Sequence, residues 1–329
     1  MQTNGMPRPF LPAQVRETLH SDGNFVGGIL ILVLSGLTFL FSTLSAVAVR
    51  SGLLSPDALN FNDLGLGNTR YLLLYGCIYI ACMGVPVLLC CLLFGRRLRG
   101  MFTVRPLSTR TQTAAVWIGM GGCIGANIVS SMFASYLQDR GISLPESPSF
   151  LEATPTSFAL NIIVLALLPA VLEELVFRVC VLGALRKYGD WFAIVVSAVL
   201  FGFIHGNAVQ SVFALLVGLV LGYITLATGN VWLAIGVHFL NNMMSVSLEC
   251  MTLSMDDTTR NVVYTVVLYG IGIIGVVVAV ACLLRRSAVY RRLSWIRYPA
   301  GACVANFLKT PLMILGLILI VLRVALFSR

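Results

Sequence analysis

Charge is scarce in this chain. Only 11% of its 329 residues are Asp, Glu, Lys or Arg, where ordinary soluble domains carry about a quarter. Histidine is rarer still, with three in the whole chain. No G-x-S-x-G stretch offers a serine nucleophile, and Ser245 and Ser247 have no evident base beside them. No H-E-x-x-H pair offers a ready zinc site. The nine cysteines, Cys77 to Cys303, lie in or beside apolar runs and form no metal-type pair; Cys90 and Cys91 are adjacent. They read as small membrane residues, not as a disulfide framework. No internal repeat and no soluble domain is visible. Residues 1–24 are polar and contain no signal-peptide apolar region.

What fills the chain instead is hydrocarbon. The hydrophobic fraction is 58% and the mean hydropathy is +0.92. Several uncharged runs of about 17 or more residues meet the length needed to cross a bilayer. Backbone groups in lipid must be satisfied internally, so an all-α, polytopic transmembrane bundle of about eight to nine spans is expected. The net charge of +9 does not point to nucleic acid, because the basic residues cluster in short loops, as the positive-inside rule describes.

In chain order, spans are expected near Phe25–Val49, Tyr71–Phe94 and Thr113–Leu137. Pro86 should kink the second, and glycines 119, 121, 122 and 125 in the third should allow close helix approach. A long helix over 158–187 follows, then shorter ones near Trp191–His205, Val209–Thr228 and Val231–Leu253, separated by Gly189-Asp190, Gly206-Asn207 and Gly229-Asn230. The last spans fall near Val262–Leu284 and Pro311–Phe327, with Arg323 expected to snorkel. Loops with Asp57 and Asp63, with Asp139, Glu146 and Glu152, and with Asp256 and Asp257 suit the outer side. Arg96, Arg97, Arg99, Arg105 and Arg110, and the basic stretch 285–309, suit the cytoplasmic side. That stretch could equally lie on the anionic leaflet or be a solvated loop. The N-terminus is then cytoplasmic, in what reads as a bacterial plasma membrane. The chain divides into three accessory helices with their tail (1–157), a core (158–253) and C-terminal helices (254–329).

The core holds the anomaly. Glu173, Glu174 and Arg178 sit inside FALNIIVLALLPAVLEELVFRVCVLGALRK, where an ionisable group costs a few kcal/mol on insertion scales. Such groups normally face a partner or a water-filled cavity. Helical rise puts Glu173 about 20 Å from the inner end of its helix, His205 about 21 Å, Asn242 about 17 Å and His238 about 10 Å. Groups from three helices therefore share one middle layer. Glu174 and Arg178, four apart, can pair, and Glu173 points about 100° away, toward another partner. His238 and Asn242, also four apart, project together. A carboxylate and an imidazole around one water make a general-base pair, and a His and an Asn aimed at one point can stabilise an oxyanion. Together they could hydrolyse an amide without a covalent enzyme intermediate.

The elements Glu173-Glu174-x-x-x-Arg178, Phe201-x-x-x-His205 and His238-x-x-x-Asn242 resemble the three motifs of the CAAX protease and bacteriocin-processing (CPBP, or Abi) superfamily, which includes the eukaryotic Ras-converting CAAX endopeptidase. The resemblance covers about residues 158–253. It implies an intramembrane glutamic endopeptidase in which Glu173 is the catalytic glutamate, His205 is its partner on the water, and His238 and Asn242 form the oxyanion hole. Glu174 and Arg178 would support the site, and Phe201 would pack against it. The implied partners are the bilayer and a membrane-associated or lipidated peptide or protein; the substrate itself does not transfer.

Blander readings stand beside this one. A buried Glu-Arg pair is often a clamp between helices, His205 could cap a short helix, and His238 with Asn242 could be interhelical glue. No cofactor is expected; if zinc were present, Glu173, His205 and His238 would be its ligands, with no second carboxylate on another helix to orient the imidazoles. A non-proteolytic immunity or scaffold protein would use the same groups for binding and would tolerate Glu173→Gln. A proton-coupled transporter would show inverted repeats, whereas the polar cluster occupies one half of the chain.

Overall fold

A computed structural model describes residues 11–36, 47, 51, 67–102, 104–142, 144, 151–152, 154–290, 293–295 and 297–327. Asp57, Asp63, Glu146, Arg291, Arg292 and the second half of the expected first span lie outside the described residues, as do the side chains of Arg96, Arg97, Arg99 and Arg323. The helices in order are α1 (Ala13–Ser35), α2 (Asn68–Phe102) and α3 (Thr109–Asp139). The long α4 (Pro155–Tyr188) leads to α5 (Asp190–Phe203), α6 (Ala208–Thr228), α7 (Val231–Thr252) and α8 (Asp257–Leu284). A short 3₁₀ turn over Ala288–Tyr290, α9 (Ala300–Leu308) and α10 (Pro311–Phe327) close the described chain. No strand occurs among the described residues.

Six of these helices are long and apolar enough to cross a membrane, or seven if α9 and α10, bent by 79°, are one span. That is fewer than the eight to nine expected. One reason is α5, whose 14 residues reach about 21 Å, short of the roughly 30 Å hydrocarbon core. Another is α1, Ala13–Ser35, whose described residues include only the first half of the expected apolar run and which starts twelve positions before it. Its first turns are rich in good helix formers, and Asp22 pins them: its carboxylate accepts from Tyr188 Oη at 2.6 Å and pairs with Lys187 Nζ at 2.7 Å. The segment GRRLRG is likewise helical, because α2 runs on to Phe102, with Pro86 inside it.

Arg186, Lys187 and the basic stretch after α8 meet at one end of the bundle, where Arg297 N donates to the Tyr188 carbonyl. There the stretch after the 3₁₀ turn docks on the start of α5. Ser294 N and Oγ both donate to Asp190 Oδ2 at 2.9 Å, and Trp295 stacks on Trp191 with ring centroids 5.8 Å apart. Burial alone would raise the Asp190 carboxyl, but the Ser294 hydrogen bonds and the Arg186 guanidinium hold it below its ordinary range. The stretch 285–309 is therefore partly anchored to the core and ends in the α9 helix.

Glycine sets three of the close approaches. A Cβ on Gly119 would come within 2.8 Å of Ile224 and Val237, and one on Gly121 within 2.9 Å of the Gly275 Cα. Gly122 packs against Val220, whereas Gly125 has open space around it and plays no part in helix approach. These contacts bring α3 against α6, α7 and α8 in one buried cluster, and the larger core lies between α1, α2, α4, α5, α6, α7, α9 and α10.

Candidate functional site

The site is built on a helix that does not keep a regular pitch. Within α4, residues Ile162–Leu167 and Leu175–Val181 form π-helical turns on either side of the α-helical Leu168–Glu174. Such wide turns are rare and occur often at functional sites. Pro169 contributes to the first, because it has no N–H to give the Leu165 carbonyl four residues back. That carbonyl instead faces Asn242, whose Nδ2 lies 3.5 Å away. Asn241 Nδ2 donates to Asn242 Oδ1 at 3.2 Å, so the Asn242 carboxamide is held from both sides.

Glu174 is completely buried, as is Arg178. Arg178 Nε lies 2.9 Å from Glu174 Oε2, within ion-pair reach though not aligned as a hydrogen bond. Its Nη2 donates to Glu174 Oε1 and its Nη1 to Ser197 Oγ, each at 3.3 Å. Ser197 Oγ in turn donates to the Phe177 carbonyl at 2.8 Å, and the guanidinium lies 5.1 Å from the Phe201 ring centroid. The pairing expected from the four-residue spacing is present, now within a π turn.

Glu174 also reaches across to α7. His238 Nδ1 is 3.1 Å from Glu174 Oε1 and His238 Nε2 is 3.8 Å from Glu173 Oε2. One imidazole thus stands between two neighbouring carboxylates. Since an ionised carboxylate can only accept, Nδ1 carries a proton toward Glu174, and Nε2 faces Glu173. The other oxygen of Glu173, Oε1, accepts a hydrogen bond from Tyr79 Oη on α2.

His205 stands at the end of α5. Its Nδ1 lies 2.8 Å from the Phe201 carbonyl, and its ring meets the Phe201 ring edge-on with centroids 5.0 Å apart. Phe201 also meets His238 edge-on at 6.2 Å. The aromatic ring therefore sits between the two histidines. The structure brings Glu173, Glu174, Arg178, Phe201 and His238 into direct contact, joins His205 to them through Phe201, and holds Asn242 on the Leu165 carbonyl.

No three His, Cys, Asp or Glu side chains among the described residues are grouped to hold a metal ion. The Nδ1 atoms of His205 and His238 face the Phe201 carbonyl and Glu174, contacts of the kind that set which ring nitrogen carries the proton.

Two residues escaped the reading of the sequence. Tyr79 is buried 94 positions before Glu173. Its signal was the Tyr71-Tyr75-Tyr79 series, one tyrosine per helical turn, whose rings lie 6.4 and 5.8 Å apart. Asn241, 8% exposed, was masked by its neighbour in the motif. Asn241 and Asn242 also line a cavity of about 540 Å³ between α3, α6, α7 and α8, together with Asn127, Asn207 and Gln210. It gives the middle of the bundle a polar route toward the end opposite the basic one.

Comparisons with known proteins fall on the same stretch of chain. Residues 155–244 match the family model described as Type II CAAX prenyl endopeptidase Rce1-like. A Bacillus subtilis (strain 168) protein named "Putative membrane peptidase YdiL" is 30% identical over 100 residues, which are 30% of this chain and 39% of that protein. The chain thus matches well under half the length of that relative. No solved structure matches. The chain is an integral membrane protein, and its segment 155–244, which supplies every side chain of the buried network except Tyr79, is similar to the Rce1-like type II CAAX prenyl endopeptidases.

Proposed function

We propose that this protein is an intramembrane endopeptidase that hydrolyses a peptide bond in a membrane-associated or lipidated protein or peptide. The observation that carries the reading is the 3.8 Å gap between Glu173 Oε2 and His238 Nε2 in a buried setting. That gap is too long for a direct hydrogen bond and suits two groups that share one water.

In the proposed reaction Glu173 takes a proton from the water and the oxygen attacks the peptide carbonyl carbon. The C–N bond then breaks, and the proton passes to the departing amine, leaving a carboxylic acid and an amine. Tyr79 and Glu174 act as positioning residues: one holds Glu173 Oε1, the other fixes the His238 tautomer. Asn242 has a second N–H besides the one aimed at Leu165, and with an imidazole it can meet the developing oxyanion. His205 is the second imidazole of the site. We assign the chemistry to residues 158–253, flanked by 1–157 and 254–329, without a metal cofactor. The basic end would face the cytoplasm, with the N-terminus there too, in a bacterial plasma membrane. The family's name points to prenylated CAAX proteins as one substrate class to try first.

The test is reconstitution of wild type and Glu173→Gln in liposomes with prenylated and unmodified peptides, with and without chelator. Cleavage by the wild type should survive the chelator and fall by about 10²–10⁴-fold in the variant, the range of a lost general base. Unchanged biological activity in the variant would instead assign the protein to peptide binding. Loss with chelator alone would return the metal.

A further inference from the structure

At the basic end, far from the buried network, α3 and α8 part. They cross where Gly121 and Gly275 meet: a Cβ on Gly275 would stand 2.6 Å from the Gly121 Cα. Below that crossing the helices splay, and the 3₁₀ turn closes the far side, with Val289 packed against Ala114 and Ala115. Tyr290 Oη ties the turn back to the Ala279 carbonyl at 3.0 Å. The wedge that remains has a volume of about 600 Å³.

Its lining is sorted by depth. Trp117, Val278 and Ala281 make the apolar interior, and Arg110, Arg285 and Ser287 stand at the mouth. The span from Arg110 to Trp117 covers about 10 Å along the helix, the thickness over which a headgroup gives way to acyl chain. Among the described residues no acidic side chain lines the wedge and neither arginine has an acidic partner. The first turn of α3 adds hydroxyls from Thr109 and Thr111. The outer face of α8, with Val277 60% and Leu284 78% exposed, continues the apolar surface away from the wedge.

We propose that this wedge is a binding site for one anionic phospholipid, with the phosphate between Arg110 and Arg285 and an acyl chain descending past Trp117 between α3 and α8. Two unpaired guanidiniums suit a phosphate, which they can engage with paired N–H donors. An apolar floor beneath them suits a lipid and not a free anion. The site shares no side chain with the Glu173 network, so it stands whether or not the chain is a peptidase.

Trp117 supplies a local probe. The full-length protein is placed in phosphatidylcholine vesicles containing dibrominated phosphatidylglycerol or dibrominated phosphatidylcholine at equal fraction, and tryptophan quenching is read. Brominated phosphatidylglycerol should quench more strongly, and Trp117→Phe should remove that excess. Arg110→Gln and Arg285→Gln should each reduce the relative association constant about fivefold, and together roughly 25-fold, as expected for basic groups at an anionic surface. The Arg110→Lys/Arg285→Lys pair should keep most of the preference. Arg260→Gln, at the opposite end, should keep all of it. Thermal melting checks that each variant is folded, and the lysine pair serves if the glutamine pair is not. Equal quenching by the two lipids, or an equal loss in Arg260→Gln, would overturn the proposal. So would relief of the quenching by about 10 mM inorganic phosphate, which would mark a site for free anions.

Discussion

The long helices α4 and α8 answer the same bilayer in opposite ways. In the most apolar stretch of α4, 44% of residues are buried in the protein; in that of α8 only 6% are. Helix α8 is regular, carries no charge between Arg260 and Arg285, and turns valine and isoleucine outward. Helix α4 carries two acids and an arginine at its centre and departs twice from α-helical pitch. Mean apolarity separates neither helix from an ordinary membrane span. What separates them is that α4 has partners on α2, α5 and α7 for every charge it brings inside, and α8 brings none.

Four substitutions would break or sharpen this contrast. The largest effect is expected from Arg178→Met, which strands Glu174 as a buried charge. Removing one partner of such a pair costs about 3–5 kcal/mol, to be read as loss of folded protein in a denaturation series. Tyr79→Phe keeps the ring stack and removes one hydrogen bond to a carboxylate, worth about 1.5–3 kcal/mol. Its cost should appear in kcat, as a drop of about 10- to 100-fold, with KM little changed and the melting temperature lowered by only a few degrees. Gly275→Ala on α8 pushes a methyl against the Gly121 backbone; overpacking of that kind costs about 1–3 kcal/mol, and it should lower stability while sparing kcat. Val277→Leu, on the lipid-facing side of α8, should change stability by less than about 0.5 kcal/mol. A large loss there would mean that α8 has a partner and that the contrast is false.

Much of the site could be read from the sequence because its anomalies were chemical. Glu173, Glu174 and Arg178 in an apolar run stand out without any coordinates, and Gly189, Gly206 and Gly229 mark the turns between the following helices. The boundaries of α5, α6 and α7 fall within a residue or two of the expected ones. The part that stayed hidden is geometric. The π turns leave the composition unchanged and alter only the phase of α4 on either side of the two glutamates, which themselves lie in its α-helical stretch. Both carboxylates flank His238 because its imidazole presents Nδ1 to Glu174 and Nε2 to Glu173. Tyr79 belongs to a tyrosine stripe that reads as packing, and only the tertiary fold brings it to a residue 94 positions away. The fate of GRRLRG was hidden for another reason: arginine is a good helix former, so a charge run does not mark where α2 ends.

The central claim is that Glu173 and His238 act as one unit on one water. A double-mutant cycle on kcat tests it, with Glu173→Gln, His238→Ala and the pair compared in liposomes on one cleaved peptide. Groups that work as a unit are strongly non-additive. The account predicts that each single variant loses about as much as the double; losses that multiply, or a His238→Ala enzyme that cleaves at the wild-type rate, would contradict it.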